Sequence, residues 1–153
     1  MADEQAFENN GGVSEQCDSL GSELMGEALD KLAVGDALSV VASAVDARGE
    51  RMTCEFDDDS AEVCLEAAHD WITRGARAQD GSKVIGKPVC YAIAYQGAIA
   101  DEDDVFRDAL ILEFGDRGAS CGYSAYALVD GIGRGDRFRY TNPAPAGELP
   151  CLL

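Results

Sequence analysis

Glu66-Ala67-Ala68-His69 places a carboxylate and the chain's single imidazole at i and i+3, the spacing by which helical bundles bring two ligands to one metal. Such a site needs further carboxylates and a second histidine from facing helices, and this sequence has one His. On a helical wheel His69 falls about 100° from the centre of the neighbouring apolar stripe, so a solvated helix face is the expectation. The same imidazole is the only one available for a Ser-His or Cys-His pair. Cys64 lies about 140° around the same helix and does not aim at it. No catalytic residue is assigned.

Gly81-Ser82-Lys83-Val84-Ile85-Gly86-Lys87 follows the pattern of a phosphate-binding loop until Pro88 stands where Ser or Thr would hold Mg²⁺. It also follows a helix and leads into a strand, the reverse of the required context, so it reads as a connector. Two acidic runs, Asp57-Asp58-Asp59 and Asp101-Glu102-Asp103-Asp104, offer carboxylates to a hard cation. Neither has the glycine and distal Glu of a calcium-binding EF-hand loop. The six cysteines (17, 54, 64, 90, 121 and 151) form no C-x-x-C pair. No metal and no cofactor is therefore expected. Gly133-Arg134-Gly135-Asp136 reads as a turn. Arg134, Arg137 and Arg139 form the only basic cluster, expected to pair with an acidic loop in preference to binding a small anion.

The charge is the sharper signal. Twenty-nine acids against 12 bases give a net charge of −17 over 153 residues. That argues against direct binding of nucleic acid or of anionic membrane, both of which need surplus Lys and Arg. The charge is also focused: residues 57–82 carry −5 and residues 101–116 carry −6, while residues 117–153 come to +1. Nine Arg to three Lys and 17 Asp to 12 Glu are the bias a high-GC bacterial genome would produce.

Met1 to Leu20 holds five acids, no base and no apolar core, which is unlike a secretory peptide. With no apolar stretch of about 20 residues, the expected compartment is the cytoplasm, where cysteines stay reduced and act as small apolar residues. Residues 1–20 read as a disordered acidic tail, 21–142 as a single domain, and 143–153, with Pro143, Pro145 and Pro150, as an irregular tail.

Within the domain, Leu24, Met25, Ala28, Leu29 and Leu32 predict a helix over Ser22–Leu32 that Gly35 closes. Ala37–Asp46 and Arg51–Phe56 predict a hairpin turning at Asp46-Ala47-Arg48-Gly49. In its second strand Met52, Cys54 and Phe56 alternate with Arg51, Thr53 and Glu55. Asp59 with Glu62 reads as the start of a second helix, which runs to Arg74 and stops at Gly75. Ala61, Cys64, Leu65, Ala68, Trp71 and Ile72 make its apolar stripe. Val89–Ile99, Asp108–Phe114, Cys121–Val129 and Arg137–Thr141 predict four more strands. In the first of these Cys90, Ala92 and Ala94 face a helix.

The fold class is α+β: five to six mostly antiparallel strands with two helices, in the order α-β-β-α-β-β-β-β. In topology alone, the order α-β-β-α-β-β-β, and without a matching motif, it resembles Roadblock/LC7-like and profilin-like interaction modules. The expected function is a non-enzymatic interaction or regulatory module, its acidic face (Asp57, Asp58, Asp59, Asp101, Glu102, Asp103, Asp104) docking a basic protein surface. In its sharper form it is a nucleic-acid mimic filling a basic groove. The alternatives are a small metal-dependent or Cys/His enzyme around His69, and a sheet that binds an apolar ligand through Tyr91, Tyr95, Tyr123 and Tyr126.

Overall fold

Ser14 starts the first helix, α1 (Glu15–Val34): its hydroxyl accepts the Cys17 amide, and Glu15 and Asp18 in the first turn complement the dipole. The computed structural model describes residues 13–36, 38–58, 60–77 and 85–153. Helix α1 thus begins well before the expected Ser22, and the break at residue 20 is corrected. Buried Cys17 and Leu20 extend the stripe of Leu24, Ala28 and Leu32 by about two turns, and the apolar face holds the acidic segment down. Residues 1–12 of the expected tail lie outside the described residues.

The C-terminus of α1 is closed as expected by Gly35, at φ 81. A side chain there would be strained, and its Cβ would also come within 3.1 Å of Gly133. The Gly133 amide in turn donates to the Leu32 carbonyl at 2.8 Å. The glycine-rich segment 131–135 is therefore a seat for the helix end as well as a joint between strands.

Next come β1 (Val40–Asp46) and β2 (Arg51–Phe56), the expected hairpin. Its turn is tied by Asp46, whose Oδ1 accepts the amides of Arg48 and Glu50 while Oδ2 accepts that of Gly86. Helix α2 (Ala61–Thr73) is capped by Ser60, whose hydroxyl accepts the Val63 amide. That corrects the expected start at Asp59, which itself lies outside the described residues. Three long strands follow, β3 (Pro88–Ala100), β4 (Phe106–Asp116) and β5 (Gly122–Asp130), and, after a 3₁₀ turn at Gly135–Arg137, the short β6 (Arg139–Tyr140). A last strand, β7 (Ala144–Leu149), corrects the expected irregular tail. It pairs with β5 at the sheet edge, where a proline such as Pro145 is tolerated because half of an edge strand's amides have no ladder partner.

All pairings are antiparallel, in the order β2-β1-β3-β4-β5 with β6 and β7 both beyond β5. The fold is α+β, with a helix on each face of the sheet. Helix α1 packs its stripe on Val41, Val45, Cys90, Ala92, Ala94, Leu110, Leu112 and Phe114; the small residues of β3 face it as expected. Helix α2 packs Cys64, Ala68, Trp71 and Ile72 on Val40, Ala42, Ala44, Met52 and Ile93. Its stripe holds except at Ala61, which is exposed at the first position. No helix among the described residues is long and apolar enough to cross a membrane.

Candidate functional site

The two helices cover the sheet unequally. Helix α2 contacts chiefly β1 and β2, reaching Ile93 by packing and Glu113 through His69, while Cys151–Leu153 pack beside Tyr91. From the Tyr95 row outward, that side of β3–β5 has no helix above it among the described residues. Register alone sets what that face displays, because cross-strand partners point the same way. One row is Tyr95–Ile111–Tyr126, with all three half-buried. The next is Ile93–Glu113–Ser124, and on the other side lies Gly97–Ala109–Leu128.

The pairing of β1 with β3 starts at Val41–Ala94, so β3 from Tyr95 to Ala100 pairs with β4 alone among the described residues. On that side the β3–β4 hairpin reaches past β1 by six residues, roughly 20 Å at about 3.3 Å each. That edge of β3 has no strand partner among the described residues.

Acidic side chains stand at both ends of this surface. At the near end, a cleft of about 540 Å³ has a floor of Leu38, Val40, Phe56, Leu65 and Tyr95 and a rim that includes Glu55, Asp57, Asp58 and Glu62. At the far end, a second hollow of about 410 Å³ is lined by Ile99, Tyr126 and Leu128 with Asp101, Glu102 and Asp103. The two acidic runs, separate in sequence, thus border one apolar face, joined along β3 from Tyr95 to Ile99. Val105 and Phe106, exposed at the hairpin tip, add apolar surface there.

The acids are not equivalent. Asp101 is spent on the hairpin: Oδ1 accepts the amides of Asp103 and Val105, and Oδ2 accepts Arg107 Nε at 2.6 Å. The Arg107 hydrogen bond, followed by the Val105 amide, holds its carboxyl below the usual range. Glu102, Asp103 and Asp104 have exposed side chains, as do Asp57 and Asp58. Asp59 is outside the described residues.

His69 is not a solvated face residue, and that expectation is corrected. Its Nε2 lies 2.7 Å from Glu113 Oε1, and the Tyr95 hydroxyl donates to Glu113 Oε2 at 2.6 Å. Glu113 is 7% exposed in mid-sheet, so both oxygens need these partners. Burial, reinforced by Glu113, pushes the Tyr95 phenol up, which keeps it a donor. Glu66 is exposed and makes no metal-ligand cluster with His69 among the described residues.

The four tyrosines do not converge. Tyr91 is buried with its hydroxyl accepting the Leu152 amide, and Tyr123 packs beside Phe114 on the α1 face. Only Tyr95 and Tyr126 share the uncovered face. Arg139 departs from the expected pairing with an acidic loop, donating instead to the carbonyls of Asp136 and Phe138. Of the connector 81–87, residues 81–84 lie outside the described residues.

Sequence reasoning missed Glu113 and the row Ile111–Tyr126. The signal was there: a single acid inside Ala109-Leu110-Ile111-Leu112-Glu113-Phe114 must find partners if that strand is central. Compared with protein-family models, with curated proteins and with solved structures, the chain matches none.

Proposed function

We propose that this protein is a non-enzymatic docking module that holds a basic, partly apolar segment of another protein on the uncovered face of β3–β5. The observation that carries the reading is the placing of both acidic runs around one half-buried apolar face. The apolar rows supply the area that binding needs, and the acids select a Lys- or Arg-bearing partner and speed its encounter. The open edge of β3 from Tyr95 to Ala100 suits an extended segment, which adds to a sheet through main-chain hydrogen bonds.

An enzyme built on His69 is the weaker reading. Its Nε2 faces the Glu113 carboxylate, and among the described residues no hydroxyl or thiol hydrogen-bonds the ring as a nucleophile would. A reducing compartment such as the cytoplasm fits the six unpaired thiols.

The test uses a synthetic peptide alternating Lys with Leu, a polar peptide of equal charge, and a peptide with Glu for every Lys, each titrated into isotope-labelled protein. The reading expects amide shifts from the first peptide to concentrate on Tyr95–Ala100, Ile111 and Tyr126–Leu128. The polar peptide should shift them less and the acidic one not at all. Shifts spread evenly over the acidic surface, or identical for the first two peptides, would remove the face from consideration.

A further inference from the structure

On the opposite side of the sheet a different group of side chains converges, and the docking reading makes no use of it. Cys90 near the start of β3 and Asp116 at the end of β4 are cross-strand partners. The first turn of α1 lays Cys17 over them. The two sulfurs and a carboxylate oxygen all lie within 4.8 Å of one another, the one such cluster of three among the described residues. Both cysteines are 0% exposed.

We propose that Cys17, Cys90 and Asp116 form a structural site for a zinc-class divalent cation. Two thiolates around tetrahedral zinc stand about 3.8 Å apart at Zn–S bonds of about 2.3 Å, so the three donors need close in by no more than about an ångström. The donor set discriminates as well. Two sulfurs disfavour the hard cations Ca²⁺ and Mg²⁺, and the carboxylate disfavours Cu(I), which leaves the borderline divalent ions. The Ser14 hydroxyl, 2.6 Å from Asp116 Oδ1 and 3.0 Å from the Cys17 amide nitrogen, stands next to the fourth position.

Both sulfurs are fully buried and Asp116 is half-buried, so the role is structural. The ion would join the N-terminus of α1 to β3 and β4, which Asp116 already begins by accepting the Ser14 amide and hydroxyl. The scatter of the cysteines along the sequence argued for no metal; the fold brings two of them together from positions 17 and 90.

The experiment starts from full-length protein, reduced and stripped with chelator. Dialysis against Zn²⁺ should leave one ion per chain, and Tm should rise by roughly 5–10 °C at a hundredfold excess over Kd. Co²⁺ in place of Zn²⁺ should show a thiolate-to-metal charge-transfer band. Cys90→Ser and Asp116→Asn should each lower affinity at least tenfold, while Cys54→Ser, on the other face, should not. Should the core variants fail to fold, the cobalt spectrum of the parent protein decides alone, since a site without thiolates lacks the band. Substoichiometric zinc with no Tm shift would overturn the proposal. So would fresh protein lighter by two hydrogens, with Cys17 and Cys90 joined as a disulfide.

Discussion

The imidazole of His69 on α2 and the carboxylate of Glu113 on β4 meet at 2.7 Å across 44 residues of sequence. With the Tyr95 hydroxyl on the other oxygen, both oxygens of the buried Glu113 carboxylate are satisfied. Glu113→Ala strips two donors of their acceptor and should cost about 1–3 kcal/mol, whereas Glu66→Ala on the exposed side of α2 should stay within about 0.5 kcal/mol. Urea unfolding of both variants, completed to a double-mutant cycle with His69→Ala, checks this. A coupling of about 0.5–3 kcal/mol is expected between His69 and Glu113, and none would mean the contact contributes nothing.

Trp71 is the anchor of α2. It is buried, donates its indole N–H to the Arg77 carbonyl at 2.9 Å and meets Phe56 edge-on at 6.1 Å between centroids. Trp71→Ala should cost about 3–5 kcal/mol by the same unfolding measurement. Because Phe56 also lines the near cleft, Trp71→Phe is the variant of choice where the cleft must be kept.

Acid stability should report on Asp46. The Gly86 amide first, then those of Glu50 and Arg48, hold its carboxyl below the usual range. The stabilisation is thus complete above the unfolded value of about 3.9 and is lost as pH falls through the lower folded value. Asp46→Asn should be less stable than the parent at neutral pH, and the two stabilities should converge as pH drops below about 4. Parallel acid limbs in pH-dependent unfolding would contradict the assignment.

The acidic tip divides into structure and surface. Glu102→Gln, Asp103→Asn and Asp104→Asn together should leave Tm level or slightly raised, since they relieve self-repulsion in a chain at −17. Asn also suits the φ of 60 at Asp104. Asp101→Asn should lower Tm, because it weakens the tie to Arg107 that closes the hairpin. Thermal melts of the two variants separate these outcomes.

Which parts were legible follows from what each signal encodes. Period and punctuation are local, so α2, the β1–β2 hairpin and the small face of β3 were readable from Trp71, Asp46-Ala47-Arg48-Gly49 and Cys90-Ala92-Ala94. The start of α1 was hidden because Glu15, Gln16 and Asp18 mask the stripe of Cys17 and Leu20 that continues it. Strand β7 was hidden because Pro143, Pro145 and Pro150 signal a break, and only the edge position on β5 makes Pro145 harmless. The acidic residues were visible as charge, but that they border one face depends on β3 outrunning β1, a matter of register. His69 was misplaced because its partner, Glu113, is set by the sheet and not by the helix that carries it.

The central claim, that the β3–β5 face docks a basic partly apolar segment, is tested most directly by stopped-flow binding of the Lys-Leu peptide to two variants across a salt series. Neutralising Glu102, Asp103 and Asp104 should slow association severalfold at low salt, with the difference fading as the Debye length shrinks to about 3 Å near 1 M. Tyr126→Ala should leave the association rate nearly unchanged and speed dissociation, the signature of lost apolar contact. If Tyr126→Ala dissociates at the parent rate while the charge variant still loses its on-rate, the peptide meets only a diffuse acidic surface and the face is not the binding site.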